Sequence, residues 1–274
     1  MLLRSKLSIL LAAASFPAFA QSGITKLNPV SFSQVTITDN FWKPKLEKIA
    51  TTAVPVMIYQ TEIATGRIRN YEKVARKQNE KHEGIYYDDS DVYKALEAIA
   101  YSLKNHSDKA MEQKADEWID KIAAAQEEDG YINSFYSLTG LENRWTDMEK
   151  HEDYCAGHLM EAGVAYFQTT GKRKLLDVAI RMADHIDETF RKQNRPWVSG
   201  HEEIELALVK LYKTTGDKKY LELSDWFLDQ RGHGHGKGGI WDNPHWGPNY
   251  AQDDVPVKDQ KEITGHAVRA MYLY

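Results

Sequence analysis

Two stretches 45 residues apart follow one local plan, and that plan restricts the fold more than any other feature of the chain. Thr169-Thr170-Gly171 closes one apolar run of helical period, and Thr214-Thr215-Gly216 closes another. Each is followed by basic residues and a new apolar helix, Lys172-Arg173-Lys174-Leu175-Leu176 in the first copy and Lys218-Lys219-Tyr220-Leu221 in the second. A unit of this length made of two helices cannot bury its apolar faces alone. It implies stacked αα-hairpins, in an open solenoid or a closed toroid.

The rest of the chain keeps the same rhythm. Val92, Ala95, Leu96, Ile99, Ala100 and Leu103 share one helical face. Asn105-His106-Ser107 breaks that helix, and Ala115, Trp118, Ile119, Ile122 and Ala123 continue in a partner. Leu159 to Phe167, Leu175 to Ile186, Ile204 to Tyr212 and Tyr220 to Gln230 supply the next two hairpins. Strand signal is scarce, with Val35-Thr36-Ile37 the best candidate. The segment from Gly232 to Asp259 has no helical period and holds His233 and His235 between glycines. Those two rings lack the surrounding groups that would hold them as metal ligands, so no metal site is expected there.

The first twenty residues read differently. Arg4 and Lys6 precede the apolar run Leu7 to Ala14, and Ala18-Phe19-Ala20 has small residues at the positions a signal peptidase needs. Residues 1–20 are therefore expected to be a secretory signal peptide, with 21–274 exported to the periplasm or beyond. No later run reaches the roughly twenty apolar residues of a membrane span. The net charge of −5 gives no basic footprint for nucleic acid. Cys155 is the only cysteine, so no disulfide forms within the chain, and its place among apolar helical positions favours burial.

Three Gly-His pairs stand ahead of apolar helical patterns: Gly157-His158, Gly200-His201 and Gly265-His266. Helix starts present unpaired N–H groups, so such histidines are expected to point from successive hairpins into one cleft. Two carboxylate clusters accompany them, Asp88-Asp89-Ser90-Asp91 and Glu149-Lys150-His151-Glu152-Asp153. Ser90 and Asp91 suit a helix cap as well as a site. His151 and His158, seven apart, share a face on a continuous helix. Paired His and carboxylates serve acid/base chemistry, hydroxyl binding or plain structural hydrogen bonding. Gln126-Glu127-Glu128-Asp129-Gly130-Tyr131 reads as a tight turn between helices.

Taken together, Asp89 to Lys94, Gln126 to Ile132, His151 to Tyr154 with Gly157-His158, Gly200 to Leu208, and Asp259 to Arg269 resemble the bacterial β-L-arabinofuranosidases of glycoside hydrolase family 127 and the related family 146. The resemblance runs in order along nearly the whole mature chain. It implies an all-α catalytic domain, an (α/α)6 toroid, of which about eight of twelve helices are countable by apolar period. It implies a retaining glycosidase with a zinc-bound Cys nucleophile and a Glu acid/base. In the family these lie beyond the point matched by Tyr274, so no residue here inherits a catalytic or metal-binding role. What carries over is substrate contact: His151, His201 and His266 resemble histidines that hydrogen-bond arabinofuranose hydroxyls, and Gln60 resembles a Gln of the same pocket. The implied partner is an arabinose-containing oligosaccharide or glycan. The last helical run ends at Tyr274 without a cap, so residues 21–274 are expected to be the N-terminal part of the toroid and inactive alone. Two alternatives remain: a non-catalytic sugar-binding helical domain, and another six-hairpin glycosidase such as an unsaturated uronyl hydrolase.

Overall fold

Several helices start or stop on residues whose chemistry requires it. The structure, a computed structural model, describes residues 29–77 and 80–274; the proposed signal peptide lies outside the described residues. Residues 29–35 belong to a separate unit, in which Ser31 Oγ caps the short 3-10 turn Phe32–Gln34. No strand forms at 35–37, and none occurs among the described residues. Three β-favouring residues in a row have no partner strand to pair with.

From Thr36 onward the chain is one helical body. Asp39 Oδ1 accepts from the N–H groups of Phe41 and Trp42, at 2.8 and 2.7 Å, and starts a helical rod over 42–64. The rod alternates α1 (Trp42–Lys48), a wide-turned stretch Ile49–Ala53, α2 (Val54–Tyr59) and a second wide stretch Gln60–Ala64. Pro55 has no N–H to give to residue 51, which loosens the ordinary ladder just where the first wide turn lies. Gly66, at φ +64°, reverses the chain into α3 (Arg67–Ala75). Ile68, Tyr71 and Val74 give α3 the apolar spacing of a helix, although it was not among the expected segments.

The hairpins follow. α4 (Asp89–Asn105) pairs with α5 (Lys109–Ala124), the latter capped by Asp108, whose Oδ1 accepts from the N–H groups of Ala110 and Met111. α6 (Ser134–Thr139) is a short connector capped by Asn133. α7 (Glu152–Thr170) pairs with α8 (Lys174–Thr189), and α9 (Ile204–Thr215) with α10 (Lys218–Gln230). After a mostly irregular stretch with the single turn α11 (Gly247–Tyr250), α12 (Ala267–Leu273) closes the described chain.

The repeat has a physical basis in the two helix ends. Gly171 and Gly216 take the same left-handed conformation, φ +75° and +76°, which glycine adopts without cost. Before each, a threonine hydroxyl donates to the carbonyl four residues back, Thr170 to Tyr166 and Thr215 to Leu211. The same hydroxyl accepts from the N–H two residues on, from Lys172 and Asp217 respectively.

α2, α4, α7, α9 and α12 lie side by side in one row, and α3, α5 and α8 in a second, with α10 backing α9. This is an all-α arc of hairpins. α7 has neighbours on both flanks and α8 behind, so its residues from Glu152 to Tyr166 are buried without interruption. Leu96, Ile99, Trp118, Leu159, Met182 and Leu208 are fully buried between the rows, and each such aliphatic side chain contributes about 1.5–3 kcal/mol relative to exposure. Buried among them on α7 are Glu152, Asp153, His158 and Glu161. Charged residues are seldom found fully buried without partners, so their surroundings define the site.

Candidate functional site

His151 is placed by a chain of contacts that begins at the Gln126–Tyr131 turn. Gln126 Nε2 donates to the carbonyls of Gly130 and Val178, at 2.7 and 2.9 Å, fixing the turn against α8. A Cβ on Gly130 would meet the Arg181 carbonyl at 2.5 Å, so the turn tolerates only glycine there. Tyr131 is thereby fully buried, and its hydroxyl donates to Glu152 Oε1 at 2.5 Å, while Trp145 N–H donates to Glu152 Oε2 at 2.8 Å. Burial pushes the Glu152 carboxyl up to about 8, against the pull of those donors. Asp153 accepts from Trp197 Nε1 at 2.9 Å. With both carboxyls pinned, the start of α7 is fixed, and His151 precedes it in the left-handed region at φ +60°.

The two imidazoles that meet here have assignable tautomers. His151 Nδ1 lies 2.5 Å from the Glu149 carbonyl, and His201 Nδ1 lies 2.8 Å from the Glu202 carbonyl. A carbonyl oxygen only accepts, so each Nδ1 carries the proton and each Nε2 presents a lone pair. Burial lowers the pKa of His151 to about 4 and of His201 to about 3, with the Arg269 charge adding to both shifts, so both rings are neutral at neutral pH. The ring centroids are 5.5 Å apart.

Tyr154 is the hub of the cluster. Its ring lies 5.4 Å from His151, 4.5 Å from His158, 4.5 Å from His201 and 6.1 Å from Tyr272. Lys94 on α4 donates to its hydroxyl at 2.6 Å. Tyr86 and Tyr87 flank His151 from the other side, each at 5.5 Å. The loop bearing them is clamped by buried Asn70, which donates to the Glu83 carbonyl and accepts from its N–H.

His266 joins from the rim. It caps α12, its Nδ1 accepting from Arg269 N–H at 3.4 Å, which leaves the proton of the neutral ring on Nε2. Its ring packs 5.1 Å from Tyr250, itself stacked on Trp246, and the Arg269 guanidinium lies over Tyr250. Arg269 acts electrostatically on His151, His201 and His266 alike. These side chains thus offer two acceptor imidazoles and one donor imidazole among tyrosines. Gln60 is exposed in the last wide turn of the rod, its carbonyl accepting from Thr65. Among the described residues no hydrogen bond or ring contact ties its side chain to the histidines.

The Gly-His pairs differ from the expected helix starts. Gly157-His158 lies in the middle of α7, and His201 precedes α9 by three residues; only His266 stands at a helix start. The glycines mark close approaches instead. A Cβ on Gly157 would come within 2.5 Å of Glu203 Cγ, on Gly200 within 2.2 Å of the Met148 carbonyl, and on Gly265 within 2.1 Å of the Asn249 carbonyl. Neither Ser90 nor Asp91 caps α4. Both lie inside its first turn, Ser90 beside Lys94 Nζ at 3.3 Å and Asp91 paired with Arg67 at 2.5 Å. Tyr154, Lys94, Arg269 and Tyr272 were not singled out as site residues. Tyr154 was within reach, since it sits three residues after His151 and four before His158 on one helical face.

The single thiol does not fit a zinc–thiolate centre. Cys155 is 1% exposed, its Sγ faces the Tyr87 carbonyl at 3.7 Å, and burial beside Asp89 holds the thiol well above its usual range. Among the described residues, the group of side chains spaced to hold a metal is Glu97, His158 and Glu161, without it. His233 and His235 lie 6.3 Å apart, ring to ring, in the loop after α10.

The chain is 36% identical to a non-reducing end β-L-arabinofuranosidase of Bifidobacterium longum subsp. longum, over 87% of its own length and 42% of that protein's. It superposes with a TM-score of 0.82 on a GH127 β-L-arabinofuranosidase from Geobacillus stearothermophilus T6, at 38% identity, covering 88% of this chain and 41% of that one. A further GH127 β-arabinofuranosidase gives a TM-score of 0.79 at 39% identity, covering 90% and 39%. The chain therefore spans about two fifths of the length of these relatives. Residues 34–274 match the family described as β-L-arabinofuranosidase, GH127 catalytic domain, and the chain belongs to that family.

Proposed function

We propose that the histidine cleft binds the β-L-arabinofuranosyl unit of a plant glycan or glycoprotein, and that the protein serves its release by a retaining glycosidase mechanism. The observation that carries this is the hydrogen-bonding character of the rings. A sugar hydroxyl both donates and accepts, so the Nε2 lone pairs of His151 and His201 and the Nε2–H of His266 suit adjacent hydroxyls. Tyr86, Tyr87 and Tyr154 supply the apolar faces that a furanose ring packs against. Gln60 remains a proposed contact only by resemblance.

Bond cleavage needs more than this cleft. A retaining mechanism requires a nucleophile that attacks the anomeric carbon and an acid/base that serves the leaving oxygen. Cys155 is buried and protonated, so it does not supply the nucleophile. Zinc chemistry and the acid/base Glu are assigned to the part of the relatives' length that this chain does not cover. On this reading residues 21–274 bind the sugar and do not turn it over alone, and the protein is exported by its first twenty residues.

The test is calorimetric titration with L-arabinose and methyl β-L-arabinofuranoside, alongside hydrolysis of an aryl β-L-arabinofuranoside. Binding lost in His151→Ala and His201→Ala supports the cleft, and no measurable binding of either sugar sinks it. The tyrosine-lined cleft also favours a second reading, a sugar-binding domain without catalysis. Full-length protein that binds without hydrolysing would select it.

A further inference from the structure

Three neighbouring helical elements bring four ionisable side chains together around His158. Glu97 comes from α4, His158 and Glu161 from one face of α7, and Glu203 from the residue before α9. Ligand atoms of Glu97, His158 and Glu161 all lie within 4.8 Å of one another. His158 Nδ1 is 3.8 Å from Glu161 Oε2 and 3.4 Å from Glu203 Oε1. We propose that Glu97, His158, Glu161 and Glu203 form a site for one divalent transition-metal ion with mixed imidazole and carboxylate donors, Mn²⁺ or Zn²⁺.

The orphaned polar atoms point to a ligand. His158 is 3% exposed, yet neither of its ring nitrogens has a hydrogen-bond partner. A buried polar group without a partner is costly, and such groups in a native protein call for a bound water or ion. Neither ring nitrogen of His158 is engaged, so one is open to a metal. Lys210 donates to Glu161, and Lys94 is engaged with Tyr154 and Ser90, so the two ammonium groups leave His158 unsatisfied. A divalent cation among the four side chains would draw the carboxylates together. Metal–ligand distances of roughly 2.0–2.2 Å need only a modest contraction of the present spacings. One imidazole with carboxylates suits Mn²⁺ or Zn²⁺ better than Ca²⁺. No thiol takes part, so this site is distinct from a zinc–thiolate centre. His158 also packs 4.5 Å from Tyr154, so an occupied site would brace the hub of the sugar cleft.

The experiment is calorimetric titration of the chelator-treated chain with Mn²⁺ and then Zn²⁺, with Mn²⁺ binding followed independently by electron paramagnetic resonance. One ion per chain is expected. Glu97→Gln and His158→Ala should each weaken binding at least about 100-fold, more than a supporting outer group would. Lys210→Met, which removes the competing ammonium, should tighten it about tenfold or more. Cys155→Ser should leave it unchanged. Glu97 is only half-buried, so its variant keeps the test valid where His158→Ala fails to fold. Absence of saturable binding in both wild type and Lys210→Met overturns the proposal. So does full-strength binding in Glu97→Gln.

Discussion

The imidazoles of His151 and His201 stand 5.5 Å apart, ring to ring, although a complete helical hairpin separates them in the chain. Each is held by a backbone carbonyl at Nδ1, of Glu149 and Glu202 respectively, so their free nitrogens are both acceptors.

That pairing sets the expected cost of losing one ring. His201→Ala should weaken L-arabinose binding about tenfold, the equivalent of one neutral hydrogen bond of about 1–1.5 kcal/mol. His151→Ala should do the same. Titration calorimetry measures both, and unchanged affinity in the two variants would place the sugar elsewhere.

The pH dependence of stability follows from opposed shifts. His151 and His201 have folded values depressed from 6.5 to about 4 and about 3. The unfolded chain takes those protons first, so their contribution is complete above about 6.5 and is lost as pH falls toward 3–4. Glu152 and Glu202 are raised from 4.5 to about 8 and about 7. Their contribution is present at low pH and is lost as pH rises from about 4.5 through those folded values. Above pH 5 the buried carboxyls outweigh the histidines, so thermal unfolding should occur at lower temperature as pH rises from about 5 to 8, and Glu152→Gln should flatten that fall. A melting temperature that climbs steadily from pH 5 to 8 would contradict the buried carboxyls.

Two glycines should respond differently to alanine. At Gly157 the added Cβ meets Glu203 Cγ at 2.5 Å, so the α7–α9 approach must open, at about 1–3 kcal/mol. At Gly171 nothing lies within 4 Å, and only the left-handed φ of +75° resists, at about 1 kcal/mol. Denaturant unfolding would rank them, and Gly157→Ala should also weaken sugar binding while Gly171→Ala does not.

Cys155 should be silent toward a thiol reagent in the folded protein and react at once in denaturant, since it is 1% exposed and protonated. Cys155→Ser should bind L-arabinose as the wild type does. Rapid labelling of the native chain would show that α7 opens far more readily than its burial implies.

Much of the fold is legible because helical period and the two Thr-Thr-Gly ends act locally; Gly171 and Gly216 need nothing beyond their own turn. The site is less so. His158 looks like a helix start because a glycine precedes it, but Gly157 is spent on close packing against Glu203, a residue on another element. Tyr154 and Arg269 become site residues only through neighbours the sequence does not bring near them, Lys94 on α4 and Tyr250 in the loop before α12. Val35 to Ile37 favour a strand, yet strands need partners and this stretch has none.

His151 holds a backbone conformation, φ +60°, that glycine adopts freely and an imidazole-bearing residue does not. A screen that rewards heat tolerance alone should drift toward glycine or asparagine at this position and erase the ring. A screen that rewards growth on the sugar should hold histidine there against that drift. The residue at 151 therefore records which of the two pressures a population of such proteins has lived under.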